Sequence, residues 1–451
     1  MPLSKYVKIY RADQRSDYRL LFSTKRASKV EVSLETLQAI EQGTLSPEDE
    51  TLLSKLGMIV EDREEEKRAV LGLLDKMNAK STELNITVVL NLDCNFACIY
   101  CYQGNMKGAR YMTDETADHL IAFIKDRFSN RIKSLVIDFY GGEPLLSLNL
   151  IKSISKRLKS FTEQKKASYA FNLVTNGSLF TRKVAEDLVP LGLSHVQITL
   201  DGPAENHNKY RPFKSGAGSF HTLIKNMQKT WDLVKIGIGG NFDKKNYMQF
   251  FRLLDDLEWA LLTPDKISGI KFSPIVNRPK GDISPTDYKA GCISSNEKWL
   301  LEAEALLRGE ILRRGHHTPK AGPIFCVVEN TDSYVVNFDG VIYKCPGFIG
   351  KQGFETGDVQ SGVRDYDTTY NIGMWKKGDC ADCEYLPLCF GGCRYMAFIK
   401  EGNVHTLDCK KDYLDASLET LIKQDIRYGP PPAHGEYHTP PSPFIGAQIR
   451  H

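Results

Sequence analysis

The chain has 451 residues, 41% hydrophobic and 25% charged, with a formal net charge of +3. That length suits two or three domains of an ordinary globular protein, and the small net charge offers no electrostatic case for nucleic acid or a membrane surface as partner. No run of about 18 apolar residues and no signal-peptide pattern is present, so a cytoplasmic location is expected. Eleven cysteines, an odd number and mostly clustered, argue for metal ligation over a disulfide framework.

Residues 1–80 contain no cysteine. Tyr6–Tyr10 and Tyr18–Phe22 read as short strands. Ser33 caps a helix over Leu34–Ile40, and Ser46-Pro47 opens a second one that Gly57 stops. Ile59-Val60 could form a wing strand. Together these suggest a small winged-helix-like module, without a basic recognition helix for DNA. The charged run Asp62–Arg68 reads as a helical, solvated connector.

From residue 85 to residue 314, strand-like runs alternate with amphipathic helical ones. The strands are Ile86–Leu92, Ser134–Tyr140, Tyr169–Thr175, His195–Leu200, Lys235–Asn241 and Gly269–Ile275. The helical runs are Thr113–Phe128, Leu148–Glu163, Arg182–Leu191, Phe220–Leu233 and Tyr247–Leu261. Six βα units predict an α/β fold with a parallel sheet curved into a partial barrel. In such barrels function collects just past the C-terminal strand ends. There the first strand is followed by Cys94-x3-Cys98-x2-Cys101, and the second by Gly141-Gly142-Glu143-Pro144. Thr175-Asn176-Gly177 follows the third strand, Asp201-Gly202-Pro203 the fourth, and the fifth ends at Asn241. Each short motif alone is ordinary turn chemistry; their joint placement on one rim singles them out. Three thiolates can hold a four-iron cluster and leave one iron without a protein ligand, unlike the usual four-cysteine site.

Seven of the eleven cysteines lie between Cys326 and Cys409. Their pattern is Cys326-x13-Gly340-x4-Cys345, then Cys380-x2-Cys383-x5-Cys389-x3-Cys393, then Cys409. Asn337–Gly340 reads as a hairpin turn that would bring Cys326 and Cys345 together. Zinc is the competing assignment, but a single Cys-x2-Cys pair with only His405 nearby suits zinc poorly. Cys292 stands in a helical, polar context as an incidental thiol. A helix over Tyr413–Ile426 closes the fold, and residues 429–451 form a Pro-rich tail.

The triple-cysteine loop, with aromatic Tyr100 before its last thiol, resembles the radical S-adenosylmethionine (SAM) signature. The later pattern resembles the SPASM extension of that superfamily. The resemblance implies a partial (β/α)6 barrel over 85–314 and a SPASM domain over 323–426. It implies three [4Fe–4S] clusters. One is held by Cys94, Cys98 and Cys101, one by Cys380, Cys383, Cys389 and Cys409, and one by Cys326, Cys345 and Cys393. S-adenosylmethionine would chelate the open iron of the first, its amino group received at Gly141, Gly142, Glu143 and Pro144. Asn176, Thr199 and Arg211 would contact its ribose or carboxylate, with Tyr100 beside it. Reductive cleavage would yield a 5′-deoxyadenosyl radical that abstracts a substrate hydrogen, with a flavodoxin or ferredoxin as electron donor.

The third cluster lacks a fourth cysteine: between Cys326 and Cys345 only Glu329, Asp332 and Asp339 offer hard ligands, so its open iron could take a substrate thiolate. The N-terminal module resembles the element that recognises the leader of a ribosomally made precursor peptide by strand addition. A peptide maturase forming thioether or other side-chain crosslinks is expected. The alternatives are an anaerobic sulfatase maturase, disfavoured because Pro346 and not Asp follows Cys345, and a winged-helix iron–sulfur sensor.

Overall fold

A computed structural model describes residues 1–277 and 288–429, so the Pro-rich tail from residue 430 lies outside the described residues. The chain divides into two units, taken here in turn.

The first unit joins residues 1–80 to residues 319–330 and to the chain from Asn371. Strands β1 (Val7–Arg11), β2 (Tyr18–Ser23) and β3 (Lys29–Ser33) form an antiparallel sheet in that order. The third strand was not foreseen from the sequence. The helix Leu34–Gln42 starts where the Ser33 side chain accepts from Thr36 N–H and stops at Gly43, in the left-handed region. Ser46 does the same for Pro47–Leu56, which Gly57 ends. The expected wing strand reduces to a bridge between Leu3 and Ile59, so this stretch pairs with the N-terminal residues. The charged run is helical over Arg63–Leu71, but Glu66 is no solvated residue. It is buried and accepts from Ser4 Oγ at 2.5 Å and from the Lys25 ammonium.

Alternation along β2 sends its side chains to two different cores. Leu21 packs with Ile40, Leu53 and Met58 under the first two helices. Leu20 and Phe22 pack with Tyr385, Leu388, Leu414, Leu418 and Ile422, the last three on the helix Lys411–Tyr428. Tyr6 joins Trp375, Leu386 and Phe390. The N-terminal sheet therefore shares its hydrophobic core with the segment carrying Cys380–Cys409.

Among the described residues the second unit holds ten strands in one sheet. Six parallel strands run in sequence order: β4 (Glu83–Val89), β5 (Ser134–Tyr140), β6 (Ser168–Thr175), β7 (Leu193–Thr199), β8 (Lys235–Phe242) and β9 (Ile267–Pro274). One face, including Ile86, Ile137, Leu173, Val196 and Ile236, is buried in a core with the helices Asp114–Arg127, Leu148–Gln164 and Phe250–Trp259. The other face carries Asn85, Thr87, Asp138, Asn172, His195 and Gln197, all only half-buried. This is the partial barrel expected.

The flank of β4 was not anticipated. The hairpin β10 (Ser333–Val336) and β11 (Val341–Tyr343) lays β10 parallel to β4, with Ser333 opposite Asn85. Two short strands, β12 (Gly357–Asp358) and β13 (Gly362–Val363), continue the sheet. All four residues of β10 are buried, as a strand covered on both faces requires. Gly340 turns the hairpin with φ of 86°. Cys292 is not helical: it is buried in extended backbone that bridges Val276.

Candidate active site

β4 delivers the chain to the rim, where Leu90–Leu92 pairs with residues 110–112, Leu92 N–H donating to Arg110 O at 2.9 Å. Asp93 then accepts from Cys94 N–H at 2.8 Å, and its carboxylate also takes Lys214 at 2.8 Å and Tyr111 O–H at 2.6 Å. Beyond it the cysteine loop behaves as a strand. Ala97 N–H donates to Pro212 O at 2.9 Å, Ile99 N–H to Tyr210 O at 3.0 Å, and Lys214 N–H to Asn95 O at 2.9 Å. The buried Phe96 ring meets Phe213 edge-on at 4.9 Å. The segment Tyr210–Lys214 thus pins the three thiols.

Cys94 is buried, and Cys98 and Cys101 are partly so. Burial pushes the Cys98 thiol up to about 12 against the pull of Arg211, and burial also raises Cys94. Burial opposes the charge on Lys107, but Cys101, Cys98 and Cys94 outweigh it and hold that ammonium above its ordinary pKa. Two cations, Arg211 and Lys107, therefore stand among three clustered thiols, a donor set fitted to an anionic cluster. Among the described residues, no three Cys, His, Asp or Glu side chains gather as a single metal ion would require.

The rim motifs meet beside this loop. Gly142 N–H donates to Asn91 O at 2.9 Å and Glu143 N–H to Asp93 O at 2.8 Å. A Cβ on Gly142 would lie 2.1 Å from Asp93 O, so only glycine permits this approach. Pro144 opens a short 3-10 turn. The fully buried Glu143 carboxylate accepts from Thr175 Oγ1 at 2.7 Å, Asn176 N–H at 2.8 Å and Leu145 N–H at 3.0 Å. Burial outweighs these donors and raises its pKa, and its two oxygens keep room for a further donor. Asn176 donates to Asn95 Oδ1 at 2.7 Å and lies 3.8 Å from Cys94 Sγ.

Tyr100 and Arg211 meet: Arg211 donates to Tyr100 Oη at 2.7 Å, and Tyr100 O–H donates to the buried Asp201. Asn241 donates to Tyr100 Oη at 3.0 Å. Among the described residues Arg211 Nε is buried with no partner, a cation edge left for an anionic ligand. Thr199 ends β7 opposite Gly239 and is half-buried. The structure thus gathers Cys94, Tyr100, Glu143, Asn176 and Arg211 around one loop. Sequence reasoning missed Lys107 and the clamp Tyr210–Lys214, neither of which carries a local signal. It also missed Asp243, whose carboxylate accepts from Tyr210 O–H at 2.7 Å and from Tyr288 O–H.

In the first unit, burial and then the neighbouring thiols, Cys409 among them, raise Cys380 and Cys389, so Cys380, Cys383, Cys389 and Cys409 stand close together. Phe390, Gly391 and Gly392 are all left-handed after Cys389, and a Cβ on Gly392 would lie 2.0 Å from Asp408 O. This tight turn lays the Cys389–Cys393 segment against Asp408-Cys409. Cys326 and Cys393 share a hydrogen bond. Cys345, in the second unit, is buried beyond β11. Of the hard ligands considered, Glu329 pairs with Arg394 at 2.5 Å, Asp332 with Arg131 at 2.7 Å, and Asp339 accepts from Asn337 at 3.0 Å.

Residues 88–240 match the Radical SAM superfamily. The radical SAM cyclopropyl synthase TigE of Paramaledivibacter caminithermalis is 23% identical over 378 residues, covering 77% of this chain and 74% of that protein. A cysteine-type anaerobic sulfatase-maturating enzyme of Clostridium novyi is 21% identical across 67% of this chain and 85% of its own length. Among solved structures, anSMEcpe with bound AdoMet superposes with a TM-score of 0.58 at 18% identity, over 76% of this chain and 93% of that one. Streptococcus suis SuiB bound to precursor peptide SuiA gives 0.52 at 16% identity, over 90% and 98%. The matched segment spans β5–β7 whole, the last two residues of β4 and most of β8. It contains every rim motif from Cys94 to Arg211, so residues 88–240 are a radical SAM domain, with S-adenosylmethionine and an iron–sulfur cluster as its cofactors.

Proposed function

We propose that the enzyme matures a ribosomally made precursor peptide, forming a thioether or other side-chain crosslink. The observation that carries this reading is the N-terminal three-stranded sheet, with edge strands β1 and β3. Such an edge can take a leader peptide as an added strand through backbone hydrogen bonds. The relatives named as TigE and as SuiB bound to precursor peptide SuiA support it.

Cys94, Cys98 and Cys101 hold the catalytic cluster, with Glu143, Asn176, Thr199 and Arg211 around the cofactor. When bound, cluster and cofactor supply a 5′-deoxyadenosyl radical by reductive cleavage. The protein orients the cofactor through Arg211 and the Gly141–Pro144 turn and keeps water from the radical. Cys380, Cys383, Cys389 and Cys409 hold a second cluster, and Cys326, Cys345 and Cys393 a third. Glu329, Asp332 and Asp339 already have partners, which supports an iron of the third cluster left open to a substrate thiolate. The electron donor is a flavodoxin or ferredoxin, and the enzyme works in the cytoplasm; among the described residues no helix is long and apolar enough to cross a membrane.

The sulfatase-maturase reading has relatives of its own. Against it, Pro346 follows Cys345, and the next candidate base, Asp358, is committed to a turn, accepting from Gln360 N–H at 2.9 Å and Ser361 N–H at 2.8 Å. The sensor reading has no use for a cofactor site.

Co-expression with a candidate precursor peptide, followed by mass spectrometry, tests the proposal. Loss of two hydrogens per modification supports crosslinking; an unmodified peptide beside active cofactor cleavage overturns the peptide reading. Deleting residues 1–80 is a poor test of leader recognition, since Leu20, Phe22 and Tyr6 belong to the core around Tyr385 and Trp375.

A further inference from the structure

β7 ends at Thr199, and the chain turns through Asp201-Gly202-Pro203 into the helix Ala204–Tyr210. Asp201 is fully buried and works in two directions. Its carboxylate accepts from Tyr100 O–H on the cysteine loop and from Asn241 N–H of β8 at 2.7 Å. Its own backbone N–H donates to His207 Nδ1 at 3.1 Å. With Nδ1 accepting, the neutral ring must carry its proton on Nε2. That proton faces Ser219 Oγ at 3.0 Å, and Ser219 O–H donates to the carbonyl of Arg211 at 2.7 Å. Arg211 returns to Tyr100 Oη at 2.7 Å.

The contacts form a closed circuit from Asp201 through His207, Ser219, Arg211 and Tyr100 back to Asp201. His207 and Ser219 are both fully buried, so each hydrogen bond is made without competition from water. Burial, aided by the Arg211 charge, holds His207 well below its ordinary pKa and so keeps the ring neutral, while the Asp201 N–H selects the tautomer. Asn208 braces the far side, its Oδ1 accepting from Ser219 N–H at 2.8 Å and Phe220 N–H at 2.9 Å. The buried Nε–H of Arg211 has no partner among the described residues.

We propose that His207 and Ser219 are positioning residues that hold Arg211 in place for the carboxylate of S-adenosylmethionine, touching neither cofactor nor cluster themselves. The inference rests on reading Arg211 as a cofactor contact. Outer partners of this kind typically govern affinity by about 10–100-fold.

The test uses reconstituted holoenzyme and S-adenosylmethionine, with dithionite as reductant and no peptide. Ser219→Ala removes the donor to Arg211 O and the acceptor for His207. We expect KM for the cofactor in 5′-deoxyadenosine formation to rise about tenfold while kcat stays within about twofold and iron content is unchanged. His207→Asn, which can keep an acceptor for Asp201 N–H but cannot reach Ser219, should match it, and His207→Phe should exceed it. The cofactor concentration that half-converts the electron paramagnetic resonance signal of the reduced cluster should shift in parallel. A role confined to folding would lower iron content and kcat together and leave KM alone, and that result overturns the proposal. Should His207→Phe fail to fold, Ser219→Ala decides. If Arg211→Lys leaves KM unchanged, the Arg211 assignment itself falls; if Arg211→Lys raises KM and Ser219→Ala does not, only the relay does.

Discussion

Gly142→Ala probes the tightest joint of the active site. A Cβ there would sit 2.1 Å from Asp93 O and 2.6 Å from Asp93 C, both backbone atoms that no rotamer change can move. Restoring ordinary contact needs the two backbones to part by about 1 Å. That breaks the hydrogen bonds Gly142 N–H to Asn91 O at 2.9 Å and Glu143 N–H to Asp93 O at 2.8 Å. Two backbone bonds at about 1 kcal/mol each, with about 1–3 kcal/mol of overpacking, give a loss of about 3–5 kcal/mol. Asp93 precedes the first cluster thiol, so the displacement passes directly to Cys94, and about 1 Å at a reacting centre is worth about 100-fold in rate. Urea denaturation and 5′-deoxyadenosine formation under dithionite measure the two effects. Gly108→Ala is the control, because its Cβ would meet nothing within 4 Å. A Gly142→Ala protein with wild-type stability and cofactor cleavage would refute the reasoning.

Three further outcomes follow from buried groups. Arg394→Met strands the buried Glu329 carboxylate and should cost about 3–5 kcal/mol in urea melts, while adding Glu329→Gln should recover part of it. Phe22→Ala should cost about 3–5 kcal/mol and, by loosening the core around Tyr385 and Leu388, lower iron content at the cluster proposed for Cys380; unchanged iron would separate that core from the proposed site. His316 is buried, with neither ring nitrogen partnered among the described residues, and burial, with Glu258 opposing, lowers its pKa to about 4. Its folded pKa lies below the unfolded one, so its stability contribution is complete above about pH 6.5 and is lost as pH falls toward 4. Between pH 7.5 and 5.5 the wild type should lose roughly 1 kcal/mol through this group, and His316→Leu should remove that slope in denaturant melts at the two pH values.

Several elements are legible in the sequence because their causes are local. Ser33 and Ser46 cap the helices they precede, Gly43 and Gly57 end them, and β5 runs over Ser134–Tyr140 as read. Thiol spacing along eight residues announces the cluster loop, since three ligands within one short segment can reach the same cube. The grouping of Cys94, Glu143 and Asn176 was also within reach, because parallel strands in register put successive strand ends on one rim.

What stayed hidden depends on partners far along the chain. Nothing in Tyr334-Val335-Val336 says that it will lie beside β4, since any buried strand edge accepts the same backbone. Pairing of Tyr210–Lys214 with the cysteine loop is equally silent, carried by main-chain bonds that leave no residue preference. Glu66 and Glu329 look like ordinary surface acids until Ser4, Lys25 and Arg394 are brought to them. The sequence by itself determined the chemistry, through side-chain types at short spacing. Only the tertiary structure decided how that chemistry is held, because the bonds that orient Arg211, Tyr100 and the thiols join segments about a hundred residues apart, where spacing carries no information.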